Sequence, residues 1–293
     1  MSNVDLNWVF FSVGFPDIPE PVLDIWQVLT GFLERERSLP KMFELSPLAR
    51  HGEDILGEER LRLTPDAISS FLASKKLVGF SVNAGRHPKM IWFSLLNAKG
   101  LGRQSELRCQ IDKDVKAPND WSQLVQAIAV LTPIIGAWQW QMPYQSWQWN
   151  FRVDLGYERS FGEIPPGFRR WHEPSIDGIG NGRILVDTSL NPGRPKELIP
   201  TINFYPTAEM WLGPHFWQYA KCTKEEALAA DFFIEKRDTP HYLYLKCWPE
   251  PFTRPDGEQG RMQQRLWKLF FHEDCEWPPG SGTICDEPMY GPP

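Results

Sequence analysis

Nothing in the chain looks built to enter a membrane. No stretch of about 18 uncharged apolar residues occurs, the length a spanning helix requires. The opening Met1-Ser2-Asn3-Val4-Asp5 has neither the basic start nor the apolar run of a secretory leader, so a cytoplasmic location is expected. Cysteine is sparse: Cys109, Cys222, Cys247, Cys275 and Cys285 are odd in number, scattered and without a CxxC pair. That spacing argues against a disulfide framework or a zinc site and for reduced, mostly buried thiols.

Reactive patterns are equally scarce. The histidines stand alone, with no HExxH and no pair at i,i+4, and nothing in the sequence brings His172-Glu173 near His215. There is no GxSxG elbow and no Walker loop. Gly178-Ile179-Gly180-Asn181-Gly182 has part of a dinucleotide-loop spacing, but a strand-type run at 183–188 follows it. No helix N-terminus would then face a phosphate, and Asn181-Gly182 reads as a tight turn. The expectation is therefore no catalytic residue, no metal and no other cofactor: a protein that acts by contact and not an enzyme.

What the chain does have is charge at its ends and tryptophan throughout. Residues 1–66 hold twelve Asp/Glu against six Lys/Arg, and residues 270–293 hold five acids and no Lys/Arg. Two acidic ends speak against direct nucleic-acid binding, which needs clustered cations, and suit a basic protein partner. Glu53, Asp54, Glu58 and Glu59 crowd one charged, exposed-looking segment. The 14 tryptophans include Trp138, Trp140, Trp147 and Trp149, which alternate as strand residues would on either side of a Pro143-Tyr144 turn, and the pair Trp211 and Trp217. Indoles carry large apolar area at low entropy cost, so three roles stay open: core, protein-binding surface or sugar-stacking platform.

The order of elements follows from periodicity. Residues 4–13 read as a strand, and a helix begins near Pro21 with Val22, Ile25, Trp26, Leu29, Phe32 and Leu33 on one face, ending before Pro40. Residues 46–63 read as a short helix or an exposed loop. Thr64-Pro65-Asp66 starts a second helix that runs to about 75. Strands are expected at 77–84, 90–96 and 106–112 as a meander, then a helix capped by Asn119 and running to Leu131. Residues 162–182 read as a loop. Further strands are expected at 183–188 and 241–248, with helices at 224–231, opened by the capping box Thr223-Lys224-Glu225-Glu226, and at 258–272. The tail 278–293 is expected to be weakly ordered. The fold class is α+β: a mainly antiparallel sheet with packed helices, one domain over 1–293 or two closely packed halves dividing near 140–150.

This order, with Trp26 and Phe32 on the first helix, Leu77-Val78-Gly79-Phe80-Ser81-Val82, Trp92 on the next strand and Thr132-Pro133…Gly136-Ala137-Trp138 after the third helix, resembles the immunity protein 52 family of bacterial polymorphic-toxin systems. The resemblance covers roughly residues 4–190 and leaves residues 200–293 without a role. It implies an immunity protein whose partner is a cognate toxin effector of restriction-endonuclease-like fold, in some cases delivered by type VI secretion. It implies tight stoichiometric binding that blocks the toxin's active site or substrate groove, with no cofactor. The residues offered for the partner contact are Glu53, Asp54, Glu58 and Glu59, with aromatic anchors among Trp147, Trp149 and Trp211. Two other classes remain: a carbohydrate-binding or carbohydrate-active protein using exposed Trp, and a structural or assembly protein.

Overall fold

A computed structural model describes residues 9–16, 22–36, 38–48, 61–74, 79–85, 90–96, 106–112, 118, 120–149, 167–168, 170–172, 184–186, 191–200, 202–273 and 284–285. Strand β1 (Val9–Gly14) leads to α1 (Val22–Arg35), then β2 (Phe43–Leu48), β3 (Leu61–Leu63) and α2 (Pro65–Ser74). Strands β4 (Gly79–Ala84), β5 (Ile91–Leu96) and β6 (Glu106–Ile111) form the expected antiparallel meander, followed by α3 (Ser122–Leu131). Next come β7 (Gly136–Gln141) and α4 (Met142–Trp149). Two short strands, β8 (Arg170–His172) and β9 (Ile184–Val186), precede the hairpin β10 (Lys196–Ile199) and β11 (Ile202–Phe204). Strand β12 (Glu209–Leu212), a 3₁₀ turn (Pro214–Gln218), α5 (Lys224–Ala229), β13 (Glu235–Asp238), β14 (Leu243–Lys246), α6 (Gly257–Phe271) and β15 (Ile284–Cys285) complete the order.

Among the described residues the main sheet has ten strands in the order β13-β14-β12-β7-β1-β6-β5-β4-β2-β3, every pairing antiparallel. The fold is α+β in a single domain. Strand β1 joins the halves: it pairs with β6 on one side and β7 on the other, Phe11 lying opposite both Cys109 and Gln139.

Strand alternation sends successive side chains to opposite faces, and each face has its own core. On the first face Phe11, Val13, Val82, Phe93 and Leu107 pack beneath α1, α2 and α3, through Ile25, Trp26, Leu29, Ile68, Leu72, Leu124 and Ile128. On the second face Trp138, Trp140, Met210, Leu212 and Leu245 pack beneath α4, the 3₁₀ turn and α6, through Tyr144, Trp147, Phe216, Leu266, Trp267 and Phe270. Each fully buried large apolar side chain contributes about 1.5–3 kcal/mol. Gly14 is required where the hairpin crosses this face: a β-carbon there would sit 2.6 Å from Ile202 Cγ2.

The first helix buries the five residues Ile25, Trp26, Leu29, Phe32 and Leu33, as its spacing demands. In α2, Thr64 Oγ1 accepts from the Ala67 amide at 3.2 Å, the expected hydroxyl cap. The capping box of α5 forms in both directions between Thr223 and Glu226. Elsewhere the structure corrects the sequence reading. Of residues 46–63, expected as a short helix or exposed loop, 46–48 end β2 and 61–63 form β3, while 49–60 lie outside the described residues. The amide of Ser122 at the start of α3 is held by Asp120 Oδ1 at 2.8 Å, while Asn119 lies outside the described residues, and Leu131 at the helix end is exposed. Trp147 and Trp149 stand on a helix, not a strand. Gln141 Oε1 accepts from the Tyr144 amide at 2.8 Å, and Pro143 occupies the first turn, so β7 passes straight into α4. On α6 the buried face is Leu266, Trp267, Phe270 and Phe271, with Met262 and Leu269 at its margin. Most of the expected loop at 162–182 and of the tail from 278 lies outside the described residues.

Candidate functional site

The residues offered for partner contact do not come together. Glu53, Asp54, Glu58 and Glu59 lie outside the described residues. Trp147 is fully buried in the second core and Trp211 fully buried in the first, on opposite faces of the sheet. The backbone of Trp149 ends α4, and its side chain lies outside the description. Trp211 donates from Nε1 to Ser122 Oγ at 3.2 Å and meets Phe11 edge-on at 5.9 Å between centroids. Burial of this kind corrects the reading of Trp147 and Trp211 as anchors and assigns them to the core. Trp26, Trp121, Trp138 and Trp267 share that role, because an indole buried against other rings removes more apolar surface from water than any aliphatic side chain.

Two polar arrangements remain, both missed from sequence. The first lies on the second face over β1, β6, β5 and β4. Ser81, Ser94, Arg108 and Ser12 stand opposite one another across four strands, and the row continues to Trp138 on β7. Ser12 donates to Glu106 Oε1, and Arg108 holds Glu106 Oε2 at 2.7 Å. Ser12 and Ser94 are 1% exposed and Glu106 3%, so a charged pair and two hydroxyls sit inside the protein, with Arg108 reaching outward. Burial works against the charge on Arg108, but the Glu106 carboxylate and its hydrogen bond outweigh this and hold the guanidinium above its ordinary pKa. Beside the row runs an aromatic one: Trp92 lies 6.4 Å from Phe10, Phe10 stacks on Trp140 at 4.9 Å, and Trp140 meets Tyr205 at 4.2 Å. Burial pushes the Tyr205 phenol far up, so it stays protonated. Ser12 is bonded to a carboxylate already neutralised by Arg108. That arrangement fixes a charge and does not generate a nucleophile, which would need a free base at the hydroxyl.

The second arrangement is at the open end of the sheet, on the first face. Arg237 of the edge strand β13 lies over the Tyr244 ring at 4.1 Å, donates to Ser122 Oγ at 3.1 Å and pairs with Glu235 at 3.1 Å. The Tyr244 hydroxyl donates to Glu209 Oε1 at 2.7 Å, and Lys246 lies 4.0 Å from Glu209. Burial raises the pKa of Glu209, partly offset by the Tyr244 hydrogen bond and Lys246. Arg237 and Glu235 remain about half exposed, so this end presents a rigid charged surface built on buried tyrosines. Arginine and tyrosine held in this way are the residue types that anchor protein interfaces.

Cys109, Cys222 and Cys247 are buried free thiols, as their scatter predicted. Burial raises all three, Cys222 to about 11 and Cys247 to about 12, which removes thiolate chemistry near neutral pH. Among the described residues no group of three or more His, Cys, Asp or Glu could hold a metal ion. Among the same residues no helix is long and apolar enough to cross a membrane.

No protein-family profile matches the sequence, and no curated protein matches it. Among solved structures the chain is similar to the Pseudomonas aeruginosa T6SS protein PA0821, at 10% identity and a TM-score of 0.49, over 90% of this chain and 73% of that one.

Proposed function

We propose that the chain is an immunity protein that binds a cognate nuclease-type toxin and neutralises it stoichiometrically, covering its active site or substrate groove, in the type VI secretion setting that the family resemblance implies. The observation that carries this reading is where the aromatic excess goes. Trp26, Trp121, Trp138, Trp147, Trp211 and Trp267 are spent on two cores, which takes away the main motive for a sugar-stacking platform and leaves a charged exterior to do the work. That exterior carries exposed Asp24 and Glu34 on α1 and Asp66 on α2. They extend the acidic balance of residues 1–66, which also contain Glu53, Asp54, Glu58 and Glu59. A nuclease presents cations to its phosphate substrate, and an acidic surface competes for those cations and speeds encounter.

The test is to mix the purified chain with the toxin domain encoded beside it, at micromolar concentration, and to follow complex formation by calorimetry and DNA cleavage in parallel. A one-to-one complex that abolishes cleavage is expected. Absence of a complex at that concentration ends the reading. Replacing Glu53, Asp54, Glu58 and Glu59 together by Gln is expected to slow association and to weaken its dependence on salt.

A further inference from the structure

The second core contains a cluster of neutral polar groups that the proposed function does not use. The segment 191–193 is laid between α4 and α6. The Gln145 amide donates to Gly193 O at 3.1 Å, and Trp267 Nε1 donates to Pro192 O at 2.8 Å. Gly193 fits only because it lacks a side chain. A β-carbon there would lie 2.7 Å from the Tyr144 hydroxyl, 2.7 Å from Gln263 Oε1 and 2.8 Å from Gln148 Cδ. Tyr144 and Gln263 are bonded to each other at 2.8 Å.

In this packed setting Asn191 is 0% exposed, and neither its Oδ1 nor its Nδ2 has a hydrogen-bond partner in the protein. Gln148, 1% exposed, lies against the Tyr144 hydroxyl, and neither of its amide atoms makes a hydrogen bond of normal geometry. Burying an amide without partners costs roughly 1–3 kcal/mol, and buried polar groups in native proteins are almost always paired. The Asn191 carbonyl of the main chain is satisfied by Arg194, at 3.0 Å from its amide and 3.3 Å from its guanidinium. The orphaned groups are therefore side-chain groups on a fixed backbone. Each of the two amides offers two N–H donors and one carbonyl acceptor, and the side chains gathered around Gly193 are uncharged.

We propose that this cluster between α4, α6 and residues 191–193 is a buried binding site for a small uncharged molecule that both donates and accepts hydrogen bonds. Solvent water and a small organic amide or polyol share that chemistry. The Arg194 guanidinium beside the Asn191 main-chain carbonyl is already paired with Glu273 at 3.5 Å, so it offers an ion no free counter-charge.

The experiment has two parts. A high-resolution crystal structure of the full chain is expected to show ordered density within hydrogen-bonding distance of Asn191 Oδ1 and Nδ2. The mass of the native protein compared with that of the denatured chain then separates the sources: a lost organic mass identifies an organic ligand, and identical masses assign the density to water. Empty density at Asn191 overturns the proposal. Asn191→Leu provides the second readout. If the amide is bonded to a ligand, its removal strips a partner from the network and lowers the unfolding midpoint by about 3–8 °C. If the amide is bonded to nothing, replacing it by an apolar group of similar size leaves the midpoint unchanged or raises it, and that result also overturns the proposal.

Discussion

Phe11→Ala tests whether the two cores belong to one cooperative unit. Phe11 is fully buried on the central strand, stacks on Trp121 at 4.4 Å and meets Trp211 edge-on. Truncating a core phenylalanine costs about 3–5 kcal/mol, and the lost ring pairs place this site near the middle or top, at about 4 kcal/mol. With a urea slope of about 3 kcal/mol/M for a chain of this size, the midpoint is expected to fall by about 1.3 M. The assay is equilibrium urea unfolding, followed by tryptophan fluorescence and by far-ultraviolet circular dichroism. Because β1 is bonded to β6 and β7, both signals should move together with an unchanged slope. A loss below about 1 kcal/mol, or two separated transitions of which only one shifts, refutes the view that β1 couples the halves.

Four further outcomes can be checked. Gly213→Ala places a β-carbon 2.0 Å from Ile134 O, a backbone atom that cannot retreat, so soluble yield should collapse, whereas Gly257→Ala meets open space and suffers only for its φ of +60°, about 1 kcal/mol by thermal melts. Thr223→Ala removes one half of the capping box and should cost about 1 kcal/mol, seen as faster amide exchange in α5. Backbone and side-chain bonds from Thr223 hold the Glu226 carboxyl below its ordinary pKa. Its contribution is thus present above the unfolded value and lost as pH falls through the folded one, so exchange in α5 should accelerate on acidification towards pH 3 and should not in Glu226→Gln. Glu209 runs the other way: its pKa is raised by burial, so folding is favoured when it is protonated and that advantage fades as pH rises through the folded value. Glu209→Gln should therefore match or exceed the native stability at pH 7 and lose its advantage near pH 4 in pH-dependent melts.

Elements with a local signature were readable in the sequence. The helix α1 has a 3.6-residue stripe, α2 and α5 have hydroxyl caps, and β4, β5 and β6 are β-rich runs divided by glycine. Strand β3 escaped because it is short and lies at the sheet edge, and β2 because it carries Pro47 and a charge, which mimic a loop. The alternation Trp147-Gln148-Trp149 imitates a strand, yet the Pro143 first turn and the Gln141 cap were the better guide to α4. The Ser12–Glu106–Arg108 row depends on register between strands some ninety-four positions apart in sequence, which no local period encodes. The charged surface at β13 also depends on tertiary contacts, since Tyr244 and Ser122 lie beneath and beside Arg237. The burial of Trp147 and Trp211 likewise depends on which helix and which sheet face receive them.

The position of β1 has a consequence for synthesis on the ribosome. By the time β6 has emerged, β1 has one neighbour, and its other rim of amides and carbonyls stays open until β7 arrives some thirty residues later. At 5–20 residues per second this lasts roughly 2–6 s. Throughout that interval the nascent chain offers a bare strand flanked by Phe10, an invitation to neighbouring polypeptides that ends only when Gly136–Gln141 docks and seals the middle of the sheet.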